Sequence, residues 1–402
     1  MDGETPLFYA CKSGNENLVK YLIEEEEDGI NDKDFYGETP LFNAFKSGNE
    51  NLVKYLIEQG ANVNKENNLR ETPLFNACKS GNENLVKYLI EQGADVNKEG
   101  NGVFNNCETP LFYACSSGNT HSVKYLIEQG ADINKENKKG ETPLFNACKS
   151  GDENLVKYLI EQGADINKEN KKGETPLFNA CKSGDEYLVK YLIEQGADIN
   201  KKRNKGFPMG ETPFFNACSS GNEHLVKYLI EQGADINKEI ENGETSLFNA
   251  CSSGNENLVK YLIKQGADIN KVDEYGGTPL FYACSSGNEN LVKYLIEQGV
   301  DINKEDEDGE IPLFTACYSG NESLIKYLIE QGADINKEDK DGKTPLFNVC
   351  KSGNKNLIKY LIEHEADINK EDKNGETPLF NASKSGNESL IKYLIEHGAK
   401  MN

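Results

Sequence analysis

TPLFNACKSGDENLVKYLIEQGADINKENKKGE, residues 142–174, is one copy of a unit that recurs along the chain, and its side chains predict its shape. Thr142 is placed to offer an N-cap hydroxyl, and Pro143 suits the first helical position, where a missing N–H costs nothing. Leu144, Ala147 and Cys148 stand at i, i+3 and i+4, which puts them on one face, turned to a core. Asn146, Lys149 and Ser150 share the opposite, polar face. Gly151 ends this short helix with the positive φ that glycine adopts cheaply. Asp152 then caps a second helix whose apolar stripe is Leu155, Val156, Leu159 and Ile160, with Tyr158 at its edge. Gly163 closes it, and the polar, turn-rich remainder reads as an extended finger leading to the next unit.

The tetrapeptide Lys-Tyr-Leu-Ile occurs twelve times, from Lys20 to Lys392, each copy fifteen residues after a head of the Thr-Pro-Leu-Phe type. Heads fall at Thr5, Thr39, Thr72, Thr109, Thr142, Thr175, Thr212, Thr245, Thr278, Ile311, Thr344 and Thr377, so the interval is 33 in most cases and 34 or 37 in the rest. A fixed period of this size marks a solenoid, because no unit so small can bury its own stripe without neighbours. The expectation is a mainly α fold over residues 1–402, a single array of about twelve repeats with no segment left for another domain. Length changes fall only between the Lys-Tyr-Leu-Ile segment and the next head, as suits a stacked helical core with free surface fingers.

Composition narrows the function classes. A formal charge of −23 argues against general binding to nucleic acid or anionic membrane, and otherwise reads as solubility. The opening MDGETPLFYA lacks the basic and apolar regions of a signal peptide, and no apolar run approaches the ~20 residues of a membrane span. Ten of the eleven cysteines lie six residues after a head. Stacked helices sit roughly 8–10 Å apart, beyond the roughly 7 Å Cα limit for a disulfide, so these read as reduced, buried wedges in a cytoplasmic or nuclear protein. Asn321-Glu322-Ser323 and Asn387-Glu388-Ser389 match a glycosylation pattern that, with no secretory route, reads as accidental.

The helix, glycine turn, second helix, Gly-Ala-Asp-Ile-Asn segment and 33-residue period resemble ankyrin repeats along essentially the whole chain. The resemblance implies L-shaped units with stacked helix pairs and projecting β-hairpin or loop fingers. It also implies protein binding through finger tips and the concave face of the first helices, with no chemistry of its own. Three departures stand out. The family's usual Thr-Pro-Leu-His head, whose imidazole hydrogen-bonds within the loops, has Phe in its last position throughout, as in Phe8, Phe42 and Phe145, so apolar packing must replace that network. Ile311 loses a cap, an expected cost of ~1 kcal/mol, and Ser246 replaces the head proline. The terminal repeats are hardly more polar than interior ones, which points to fraying, to end-to-end self-association or to a piece of a longer chain.

Comparing repeats with one another locates candidate contacts. Four residues after the head, eight copies have Asn, while Tyr9, Tyr113, Tyr282 and Thr315 differ; Tyr318 interrupts a Lys/Ser position three residues on. Tyr113, Tyr282 and Tyr318 are candidate anchors, since aromatics dominate many interfaces, although scattered singles also read as fillers. The fingers vary more. Lys138 and Lys139, Lys171 and Lys172, then Lys201, Lys202, Arg203 and Lys205 occupy three consecutive connections and predict a basic stripe on an acidic body. The third of these is four residues longer and carries Phe207, Pro208 and Met209; the connection before Thr109 is also longer and carries Val103, Phe104 and Cys107. Together they predict a site for an acidic protein segment with apolar anchors; drift in unconstrained loops is the plainer account. Lys201 to Lys205 also passes as a nuclear import signal.

No nucleophile elbow, phosphate-binding loop or zinc pattern occurs, and the four histidines sit at non-equivalent places, so no catalysis, metal or cofactor is expected. The reading is a non-catalytic scaffold or adaptor that binds an unknown protein partner. An enzyme-blocking regulator and a self-associating structural array are the alternatives.

Overall fold

The structure is a computed structural model and describes residues 3–25, 29–102, 106–206, 208–384 and 386–401. They form twenty-four helices in tandem pairs, numbered below as repeats one to twelve by their heads. In repeat five the first helix is Pro143–Ser150 and the second Glu153–Glu161. Gly151 ends the first at φ 75°, the left-handed conformation its lack of a Cβ permits. Asp152 caps the second, its Oδ1 accepting from Leu155 N–H at 3.0 Å. The equivalent cap is present in all twelve repeats.

The head threonine behaves otherwise. Thr142 holds the N-cap position with extended backbone but makes no side-chain cap. Its own carbonyl already accepts from Phe145 N–H at 2.9 Å, so no donor is left for the hydroxyl. Oγ1 is buried without a partner at Thr72, Thr142, Thr175, Thr212, Thr245, Thr278 and Thr344. This corrects the expected cap and the cost assigned to Ile311. That residue is fully buried, and its carbonyl accepts from Phe314 N–H at 2.8 Å, as threonine's does. The last residue of the head offers the hydroxyl no alternative partner: Phe145 is 1 % exposed and has no polar side-chain atom.

Two compact units divide the chain, Met1–Lys205 and Gly206–Asn402. In the first, each first helix packs on the next from Pro6–Ser13 to Pro176–Ser183. In the second the same holds from Pro213–Ser220 to Pro378–Lys384. Leu, Phe, Ala and Cys of the first helices and Leu and Val or Ile of the second form a continuous core within each unit. Tyrosines of the Lys-Tyr-Leu-Ile segments help join repeats: Lys124 Nζ lies 5.1 Å from the Tyr158 ring centre and Lys260 4.9 Å from that of Tyr294.

Fingers are loops and not paired strands among the described residues, where one isolated antiparallel bridge joins Gly100 and Glu108. Asn137 shapes a representative tip, its Oδ1 accepting from Lys139 N–H at 2.8 Å and Glu141 N–H at 3.0 Å. Backbone hydrogen bonds tie successive fingers together. Lys138 N–H donates to Asn106 O at 2.6 Å, Lys171 N–H to Lys139 O at 2.7 Å and Asn204 N–H to Lys172 O at 2.9 Å. No helix among the described residues is long and apolar enough to cross a membrane.

Candidate functional site

In the first unit the fingers before repeats four and five stand over the polar face of the first helices of repeats four to six and enclose a groove of about 570 Å³. Lys139, Lys149 and Lys182 line it with Glu108, Glu141 and Asn179. The lysines are available because the carboxylates are engaged elsewhere. Lys79 of repeat three pairs with Glu71, eight residues earlier, at 2.9 Å, and Lys46 pairs with Glu38 at 2.5 Å. The equivalent Glu141 and Glu174 accept from the finger amides instead, Asn137 Nδ2 at 3.1 Å and Asn170 Nδ2 at 2.8 Å. Arg203 Nε adds a 3.4 Å contact to Glu174. Among the described residues no ion pair holds Lys149 or Lys182.

The finger ladder sets the predicted basic residues in order, with Lys138, Lys139, Lys171, Lys172, Lys202 and Lys205 all exposed. Lys201 and Arg203 differ. Lys201 reaches Glu169 at 2.5 Å, one rung of a ladder that includes Lys98–Glu66 at 2.5 Å and Lys135–Glu99 at 2.7 Å. Arg203 has a side chain only 12 % exposed, folded onto Glu174 and the Lys205 carbonyl. Of the apolar finger residues, Val103, Phe104 and Phe207 lie outside the described residues, and Met209, in the second unit, is 38 % exposed.

The three tyrosines part company. Tyr113 is half-buried edge-on against Phe75, its hydroxyl donating to Glu71 at 3.2 Å. Tyr282 packs against Phe248 in the same way and donates to Asp273 at 2.8 Å and Glu244 at 2.9 Å. Burial, with these carboxylates beside it, pushes both phenols well up. Both work inside their own unit. Tyr318 is 63 % exposed, donates to Glu310 at 2.9 Å and is pushed up to about 12 by desolvation and by the Glu310 carboxylate.

Tyr318 stands on a second groove, of about 740 Å³, in the other unit. Asp308, Glu310, Asp339, Asp341 and Glu376 there face Lys340, Lys343, Lys351 and Lys384. Two of those lysines are held, Lys343 by Asp341 at 3.2 Å and Lys384 by Glu376 at 3.2 Å. Burial raises the Glu310 and Asp306 carboxyls above their ordinary range.

Sequence reasoning passed over Lys149 and Lys182. Lys79 and Lys149 occupy the same place, with a glutamate eight residues before each, so no pattern separates the paired lysine from the free one. Burial silences the cysteine column, raising the thiol to about 12 at Cys350 and further at Cys148, while Cys107 in its finger is half-exposed. Among the described residues no three His, Cys, Asp or Glu side chains are arranged to hold a metal ion.

The profile of ankyrin repeats (three copies) matches residues 1–67, 63–137, 130–203, 202–273, 266–339 and 313–402. The chain belongs to the ankyrin-repeat family. No individual curated protein matches it. Ankyrin repeats are in general protein–protein interaction modules and are typically non-catalytic.

Proposed function

We propose that this chain is a non-catalytic scaffold or adaptor whose first unit binds an acidic segment of a partner protein. The uncommitted pair Lys149 and Lys182, with Lys139 above them, carries the reading. An ammonium group with no internal partner is hydrated in the free protein and can exchange that water for a carboxylate. The exposed Lys138, Lys171, Lys172, Lys202 and Lys205 extend the positive field along the fingers. A net charge of −23 over the whole chain repels long polyanions, so a short acidic stretch of protein fits better than nucleic acid. Ten buried free thiols support action in a reducing compartment, the cytoplasm or nucleus.

The test is fluorescence anisotropy with a labelled glutamate-rich peptide carrying one phenylalanine, titrated with the full chain at low and high salt. Saturable binding that weakens steeply with salt is expected. Binding that is absent, or indifferent to salt, would sink the acidic-segment reading. Affinity capture with the intact chain and with the 201–209 finger cut to standard length tests the finger contribution; an unchanged partner set would remove it.

A further inference from the structure

Three hydrogen bonds fasten the loop after a second helix. The alanine of Gly-Ala-Asp donates its N–H to the leucine carbonyl five residues earlier, Ala267 to Leu262 and Ala333 to Leu328, both at 3.0 Å. The Asn at the finger base of the preceding repeat supplies the other two, using both ends of its amide. Asn237 Nδ2 donates to Gly266 O at 2.9 Å while its Oδ1 accepts from Asp268 N–H at 3.1 Å. Asn303 does the same with Gly332 at 3.0 Å and Asp334 at 2.8 Å. Corresponding bridges run through the first unit, as from Asn64 to Gly93 and Asp95.

Between repeats eight and nine, among the described residues, all three are missing. Val300 N–H does not reach the Leu295 carbonyl, and Asn270 meets neither Gly299 nor Asp301. The local sequence supplies the cause. Repeats two to eight and ten to twelve hold alanine where Val300 stands, and those alanines are buried to 6–8 % exposure. An isopropyl group does not fit a slot shaped for one methyl, so the loop lifts away. A notch of about 210 Å³ is left, lined by Ile269, Asn270, Val272, Thr278 and Val300. The head beside it is less covered as well: Thr278 and Phe281 are 8 % and 7 % exposed, against 2 % and 0 % for Thr245 and Phe248 one repeat earlier.

We infer that the joint between repeats eight and nine is a hinge built into the second unit, set by Val300. Its two repeats keep their helix packing, but the loop that fixes their relative angle is unfastened, so opening fluctuations of the second unit start there.

Native-state hydrogen exchange on the full chain reads it directly, because the amides of Val300 and Asp301 are the donors left free. After correction for intrinsic rates, both are expected to exchange about tenfold or more faster than Ala267 and Asp268, or Ala333 and Asp334. Val300→Ala restores protection at both amides and leaves the first unit unchanged. Ala333→Val carries the fast exchange to the next joint. Equal protection in the unaltered chain overturns the proposal, as does a Val300→Ala variant with no slowing; that smaller side chain is certain to be accommodated even where Ala333→Val fails to fold.

Discussion

The groove of repeats four to six and that of repeats ten to twelve are built from the same parts, a finger turn above and the polar face of first helices below, yet they differ in charge. Three lysines meet two carboxylates in the former; four lysines meet five carboxylates in the latter. The larger difference lies in pairing. Lys343 and Lys384 are spent on neighbouring acids, whereas Lys149 and Lys182 are left over because Asn137 and Asn170 engage the glutamates first. Two surfaces made of the same parts thus differ in which internal bonds have already been made, and with that in which charges are left over.

Charge reversal breaks the comparison most sharply. Lys149→Glu with Lys182→Glu is expected to weaken the acidic peptide by about tenfold or more, while Lys343→Glu with Lys384→Glu leaves its affinity within about twofold, both read by anisotropy. Equal losses would mean that only overall charge matters. Next in size come the stranded hydroxyls, which both units share. Thr142→Val and Thr344→Val are each expected to raise stability by about 1 kcal/mol in urea unfolding, and Ile311→Thr to lower it by a similar amount, since an unpartnered buried hydroxyl is exchanged for a methyl or the reverse.

Acid separates the units by sign. Glu66 and Glu99 of the first unit are held below their ordinary range chiefly by hydrogen bonds from Lys98 and Lys135, so their contribution is present above the unfolded pKa and lost as pH falls through the folded one. Glu310 of the second unit is raised by burial, so its charge opposes folding at neutral pH and that penalty fades as pH falls through the raised value. Glu310→Gln should increase stability at pH 7 by less than about 1 kcal/mol after solvent screening, with the gain vanishing toward about pH 4.3. The smallest effect concerns a cap. Asn288 and Asn321 both cap their helices and donate Nδ2 to the Gly254 and Gly287 carbonyls at 2.7 and 3.0 Å, a bond Asp185 cannot donate. Asp185→Asn should add about 0.5 kcal/mol by the same urea measurement.

Period, helix boundaries, core positions and second-helix caps were legible because each depends on spacing within one repeat. Leu144, Ala147 and Cys148 fall where i, i+3, i+4 puts them, and Asp152 caps as its chemistry requires. What escaped depends on competition. Thr142 has the right residue type for a cap, but its own carbonyl already holds the Phe145 N–H. Lys149 has a glutamate at the distance that traps Lys79, but a finger amide reaches that acid first. Arg203 and Lys201 belong by sequence to the basic stripe and by geometry to ion pairs with Glu174 and Glu169. The Val300 substitution is conservative on paper, and only the tightness of the slot that alanine fills elsewhere gives it weight.

Cys107 follows Asn106 and precedes Glu108, both on the rim of the first unit's groove, and it is the half-exposed exception to a column of thiols shut away from solvent. The unaltered chain thus brings its own attachment point for an environment-sensitive dye, beside the surface whose occupancy one would want to report. Maleimide chemistry at neutral pH should colour that position and spare the column, turning a quirk of one finger into a ready-made optical sensor.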